Sequence, residues 1–102
     1  MKQALLSQDL ARNAARAEAL LKQLAHAGRL TILCALVDGE KPVGTLVEAS
    51  GLSQSAVSQH LAKLRLAGLV EARRDGQSIL YRLADGQARA VLKALHRIFC
   101  KE

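Results

Sequence analysis

Residues 51–82, GLSQSAVSQHLAKLRLAGLVEARRDGQSILYR, constrain this chain more than any other stretch. Ser53 offers the side-chain oxygen that orphan amides at a helix start require. Gly51 supplies a tight turn before it, and Gly68 marks the helix end. Between them Val57, Leu61 and Leu64 fall on one stripe at helical spacing. Ser55, Gln59 and Ala62 point the opposite way, with Ser58 and Lys63 flanking them. The outer face is therefore small, polar and uncharged or basic. In a DNA major groove such side chains reach base edges and phosphates. Taken alone, the same pattern also fits an ordinary amphipathic surface helix.

The order of elements separates the two readings. A short helix over 43–49 precedes the capped one across a Gly-containing turn, which is a helix-turn-helix arrangement. Leu69–Arg73 and Ser78–Leu83 are β-rich runs around Asp75-Gly76, a hairpin signal. Its tip carries Arg73, Arg74 and Gln77, and basic residues on a projecting ribbon suit a phosphate backbone or a minor groove. The expected fold is mainly α (α+β), a winged helix-turn-helix. The candidate DNA contacts are Ser53, Gln54, Ser55, Ser58, Gln59, His60 and Lys63 on the helix and Arg73, Arg74 and Gln77 on the wing.

Charge points to the same class of partner. Fifteen Lys and Arg against nine Asp and Glu give +6, which favours a polyanion. Residues 53–82 hold five basic and two acidic side chains, so they carry +3, half of that total. One Phe, one Tyr and no Trp leave no stacking platform for RNA or single strands. The 102 residues read as a single domain, 1–102, with half of them hydrophobic and a large surface for the size of core. The start, MKQALLSQDLARN, lacks the apolar run of a signal peptide, and no stretch approaches membrane-span length. A cytoplasmic protein without membrane contact is expected, its two cysteines reduced at rest.

Periodicity predicts four further features. A first helix runs from Asp9 to about Leu24 on the stripe Leu10, Ala14, Ala17, Leu21 and Leu24. A second runs from about Ala27 to Val37 and is apolar nearly all round, so it should be central. Pro42 opens the short third helix, with Val43, Leu46 and Val47 on its inner face. Asp85-Gly86 leads into a last helix reaching about Cys100 on Val91, Leu95, Ile98 and Phe99. The order is α-α-α-α-β-β-α. The apolar residues of the first and last helices exceed what so small a domain can bury alone. A homodimer paired through Leu10, Leu21, Leu24, Val91, Leu95, Ile98 and Phe99 is the expectation.

LAHAGRLTIL at 24–33, LSQSAVSQHLAKLRLAGLV at 52–70 and RRDGQSILYRL at 73–83 together resemble the ArsR/SmtB-like family of winged-helix repressors. The resemblance covers nearly the whole chain. It implies a homodimer joined through its first and last helices, which binds an inverted-repeat operator until an inducer reaches a sensor site. It implies no enzyme activity, and no Ser/His/Asp grouping or glycine-rich phosphate loop supports one.

The sensor must be argued from two cysteines, Cys34 and Cys100. Neither belongs to a C-x-x-C pair, which speaks against a thiol oxidoreductase. Arg89, Lys93, His96 and Cys100 share one helix face, and their charge favours the thiolate, while the helix C-terminus opposes it. The resemblance implies that metal-sensing members carry cysteines on the third helix or paired His and Asp on the last; here residues 43–50 contain no Cys or His, and Asp85 and His96 lack a second His partner, so no metal site and no cofactor are expected. His26 and His60 read as structural or DNA-proximal. ILCAL at 32–36 and RIFCK at 97–101 resemble the sulfide-responsive, BigR/SqrR-like branch of the family. That resemblance implies a redox sensor in which reactive sulfur species cross-link the two cysteines by persulfide or polysulfide and the repressor releases DNA. A peroxide-driven disulfide, an arsenic or metal response, and an architectural DNA binder with inert cysteines remain the alternatives.

Overall fold

The structure, a computed structural model, describes the backbone of residues 2–99 and the side chains of residues 8–99. Eight elements follow in order: α1 (Lys2–Leu24), α2 (Ala27–Ala35), β1 (Lys41–Pro42), α3 (Val43–Ser50), α4 (Gln54–Leu66), β2 (Val70–Asp75), β3 (Ser78–Leu83) and α5 (Gln87–Phe99). The winged helix-turn-helix expected from the sequence is present. Several boundaries differ. α1 starts earlier than Asp9, α2 ends at Ala35 rather than Val37, and β2 reaches Asp75.

An additional strand also separates α2 from α3. β1 lies on the free edge of β3, pairing Lys41 with Tyr81 and Pro42 with Leu80, so the sheet order is β1-β3-β2. Two residues are too short to show a period of two. Pro lacks an amide donor and is tolerated on such an edge. Pro42 also serves as the extended N-cap of α3. The hairpin loop is Gly76-Gln77, since Asp75 still pairs with Ser78 in the ladder. Gly76 has φ +64° and, among the described residues, no non-glycine residue has positive φ, the pattern of a II′ turn.

The core lies where α2, α3, α4, the sheet and α5 meet. Ile32, Leu33, Leu46, Val57, Leu61, Leu64 and Leu92 are fully buried, joined by Leu24, Leu36, Val70 and Leu83. α2 buries Ile32 and Leu33, but Thr31 is exposed and Leu30, Cys34 and Ala35 are half-buried, so its apolar circumference is only partly covered within the protomer. α4 presents Val57, Leu61 and Leu64 inward, the stripe read from the sequence. Both α4 ends are closed. The Ala56 amide donates to the Ser53 hydroxyl at 3.1 Å. At the other end the Leu69 and Gly68 amides donate to the carbonyls of Leu64 and Arg65, a Schellman stop with Gly68 at φ +78°.

α1 is different. Residues 8–19 are exposed, and among the described side chains of α1 those of the last turn, through Leu20 and Leu24, pack on the body. Its 23 residues span about 34 Å at the usual helical rise. Leu24 corrects the interface expectation: only 2 % exposed, it belongs to the protomer's own core and offers no surface to a partner. The bend after α1 drives that side chain inward. Leu10 at 66 %, Leu21 at 54 %, Ile98 at 67 % and Phe99 at 76 % remain exposed, while Val91 and Leu95 are half-buried.

Candidate functional site

The outer face of α4 is built as its sequence implies. Gln54, Ser55, Ser58, Gln59, Ala62 and Lys63 are exposed beside the exposed cap Ser53, and the buried stripe behind them fixes their direction. Ser53 uses its hydroxyl oxygen as the cap acceptor, which leaves its O–H able to donate. His60 departs from this set. It is half-buried at the edge of the face and turned towards the start of α2. Its Nδ1 accepts from the Arg29 Nε at 3.3 Å, and its ring meets that of His26 edge-on at 4.7 Å.

The wing's cations are not equivalent. Arg73 and Arg74 stand opposite Leu80 and Ile79 within the ladder, and Gln77 occupies the loop itself. Arg73 makes a two-pronged pair with Glu40, Nε to Oε2 at 2.7 Å and Nη2 to Oε1 at 2.8 Å. The guanidinium holds the Glu40 carboxyl below its usual range, and Glu40 in turn raises the pKa of Arg73. Arg82 is paired with Glu71 across the ladder at 2.6 Å. Among the described residues Arg74 and Lys63 carry no ion pair. Sequence reading could not see that Glu40 would neutralise Arg73, because 33 positions separate them and only the β1 edge brings them together.

On the opposite side of α2 lies an apolar hollow of about 450 Å³. Leu30, Thr31, Cys34 and Ala35 of α2 form one wall and Leu95, His96 and Phe99 of α5 the other. Cys34 is half-buried in that wall. Cys100 lies outside the described residues, but Phe99, its neighbour in the chain, lines the same hollow. Arg89, on the face that the sequence assigned to Cys100, is paired with Asp85 at 2.6 Å. Among the described residues no three His, Cys, Asp or Glu side chains come together as a metal site. No helix there is long and apolar enough to cross a membrane.

A capped helix in a helix-turn-helix, an adjoining wing and a polar outer face define a winged helix-turn-helix regulator. Residues 26–72 match the family described as bacterial regulatory protein, arsR family. The chain belongs to this ArsR family of transcriptional regulators. It is 46 % identical over 94 residues to the transcriptional activator HlyU of Vibrio cholerae, covering 92 % of this chain and 87 % of that one. The crystal structure of the transcriptional repressor BigR from Xylella fastidiosa superimposes with a TM-score of 0.86 at 41 % identity, covering 92 % and 93 % of the two chains. A homodimeric winged helix-turn-helix DNA-binding domain, Mb0332 from Mycobacterium bovis, gives a TM-score of 0.68 at 35 % identity over 95 % of this chain and 82 % of that one.

Proposed function

We propose that the protein is a homodimeric repressor that binds inverted-repeat operator DNA when reduced and releases it when reactive sulfur species link Cys34 to Cys100. The regulated genes are then ones that dispose of sulfide. The observation that carries the reading is the hollow between α2 and α5: Cys34 lies in its α2 wall, and Phe99, which precedes Cys100 in the sequence, lines it from α5. α5 also exposes Ile98 and Phe99 for the dimer contact, so a covalent tie there acts on the element that spaces the two recognition helices.

The polysulfide donor is itself the two-electron oxidant. One cysteine thiolate attacks an inner sulfur of a donor RS–S–S–SR and expels RS⁻. The second thiolate attacks the adjacent inner sulfur of the resulting adduct and expels the other RS⁻. Two protein thiols are oxidised, two RSH molecules are released, and the bridge keeps both inner sulfurs. A plain disulfide needs Cα atoms within about 7 Å, whereas a bridge with two extra sulfurs spans further. Hydrogen peroxide is then a poor inducer wherever the thiols stand slightly too far apart.

Treating reduced protein with an organic tetrasulfide should weaken operator binding about 100-fold, or about 2.7 kcal/mol, an ordinary coupling between sites. Mass spectrometry should show an intramolecular link heavier than a disulfide by two sulfurs. Cys34→Ser and Cys100→Ser should each stay on DNA. A normal response from either variant would refute the dithiol switch and favour inert cysteines.

DNA reading is assigned to the exposed face of α4 and to the wing. Gln59→Ala should lose discrimination at one base pair by about 1–3 kcal/mol while keeping most non-specific affinity. Arg74→Ala should reduce the slope of log affinity against log salt by about 0.9, the share of one phosphate contact. Arg73→Ala should change it less, because Glu40 already neutralises that cation. Equal losses at 73 and 74 in a salt titration would contradict this division.

A further inference from the structure

The start of α2 is tied to the DNA-reading helix by a polar cluster that the sensor does not use. Arg29 is its centre. Its Nη1 donates to the Gln23 side-chain oxygen at 2.9 Å and to the Gln23 carbonyl at 3.2 Å, so the last turn of α1 holds it. Its Nε donates to Nδ1 of His60 on α4 at 3.3 Å. His26, the N-cap residue of α2, lays its ring edge-on to that of His60 at 4.7 Å. Gly28 lies close against the helix-turn-helix turn, where an added Cβ would meet the Cδ1 methyl of Leu52 at 2.9 Å. His60 sits directly after Gln59, so a shift of its ring moves the face assigned to DNA.

We infer that Arg29 and His26 are positioning residues for DNA reading, forming a latch on His60 that opens when His60 takes up a proton, so that operator affinity falls in mild acid. The inference rests on α4 being the DNA-contacting helix and is independent of the cysteines. The physical cause is the acceptor at Nδ1. A neutral imidazole can accept there, but an imidazolium carries a proton on both nitrogens and only donates. The Arg29 bond is then lost. The groups acting on His60 are His26 and Arg29 from across the contact and Lys63 on its own helix, and none of them is an acid. Partial burial foremost, then these three, lowers the His60 pKa below 6.5. The sign follows. The latch is intact above about pH 6.5 and is lost as pH falls through the lowered value, since the open state binds the proton more readily.

The opposite sign marks the competing role. A His60 that touched a phosphate would bind DNA more tightly once protonated. The test uses reduced full-length protein and an inverted-repeat duplex selected from a random library at about pH 7.5, with a scrambled duplex to remove the general charge effect. Specific affinity, taken as the ratio of the two, should fall about tenfold between about pH 7.5 and 5.5. His60→Asn, which keeps an acceptor in place of Nδ1 but cannot protonate, should bind at the higher pH within about threefold of the parent and lose the pH dependence. Arg29→Met should bind several-fold more weakly at the higher pH with a flattened profile. His96→Asn should titrate like the parent. A measurement on the unmodified protein stands beside the variants: the amide resonances of residues 54–66 should shift with the midpoint of the His60 ring. A flat or rising profile for the parent, or α4 amides that ignore the His60 midpoint, would overturn the latch. Failure of the protein to select any duplex would instead overturn the DNA reading itself.

Discussion

Ile98→Glu combined with Leu10→Glu should yield a folded monomer that no longer holds its operator. Both side chains are about two-thirds exposed in the protomer, so a charge there leaves the core intact. Neither is covered within the protomer, and full burial of such a side chain against a partner would be worth about 1.5–3 kcal/mol. α1 makes the same case from another direction: residues 8–19 stand away from the body, and a helix without tertiary packing is marginal in water. Loss of the second recognition helix removes the effective-concentration gain of two linked half-sites, about 10²–10⁴ in affinity. Sedimentation should show one protomer, whose helical circular dichroism falls by no more than residues 8–19 of α1 contribute. A dimer of undiminished stability would overturn the assignment of α1 and α5 to the interface. Leu95→Glu is the poorer probe, because Leu95 is half-buried against the protomer's own core.

Leu61→Ala should destabilise the protein by about 2–5 kcal/mol, the range for a fully buried Leu truncated in a close-packed core. Leu66→Ala, one and a half turns further along α4, should change stability by less than about 0.5 kcal/mol. Leu61 is 0 % exposed at the junction of α4 with the core, whereas Leu66 is 90 % exposed. Urea unfolding at fixed protein concentration separates the two, since a shared dimer contribution cancels in their difference. Equal losses would mean that Leu66 is covered in the assembled protein, and the outer face of α4 would need to be redrawn.

The recognition helix was legible because its information is local. Ser53, the period of Val57, Leu61 and Leu64, and Gly68 lie within one element, and caps and amphipathic stripes follow from helical geometry alone. The wing was legible for the same reason, although its loop proved to be Gly76-Gln77 rather than Asp75-Gly76. β1 was not, since a two-residue strand exists only through the edge of β3. Leu24 read as part of an interface stripe, but a helical period cannot say which turns of that stripe meet the chain's own core and which meet solvent.

The chemistry of the site divides along the same line. The amino-acid sequence by itself determined the winged helix-turn-helix, the polar face carried by Ser55, Ser58, Gln59 and Lys63, and the identity of the two thiols, because each depends on residue type at short spacing. Only the tertiary structure decided which charges remain available and which side chains are shared. It set Glu40 against Arg73, while among the described residues Arg74 of the wing carries no ion pair. It turned His60 from the outer face onto Arg29 and His26, and it opened a hollow between α2 and α5 with Cys34 in its wall. These pairings join residues 31, 33, 34 or 65 positions apart, the last being Cys34 and Phe99. Coulomb attraction and hydrogen bonding act over a few ångströms of space, and the packing of the core rather than the order of the chain brings such groups that close.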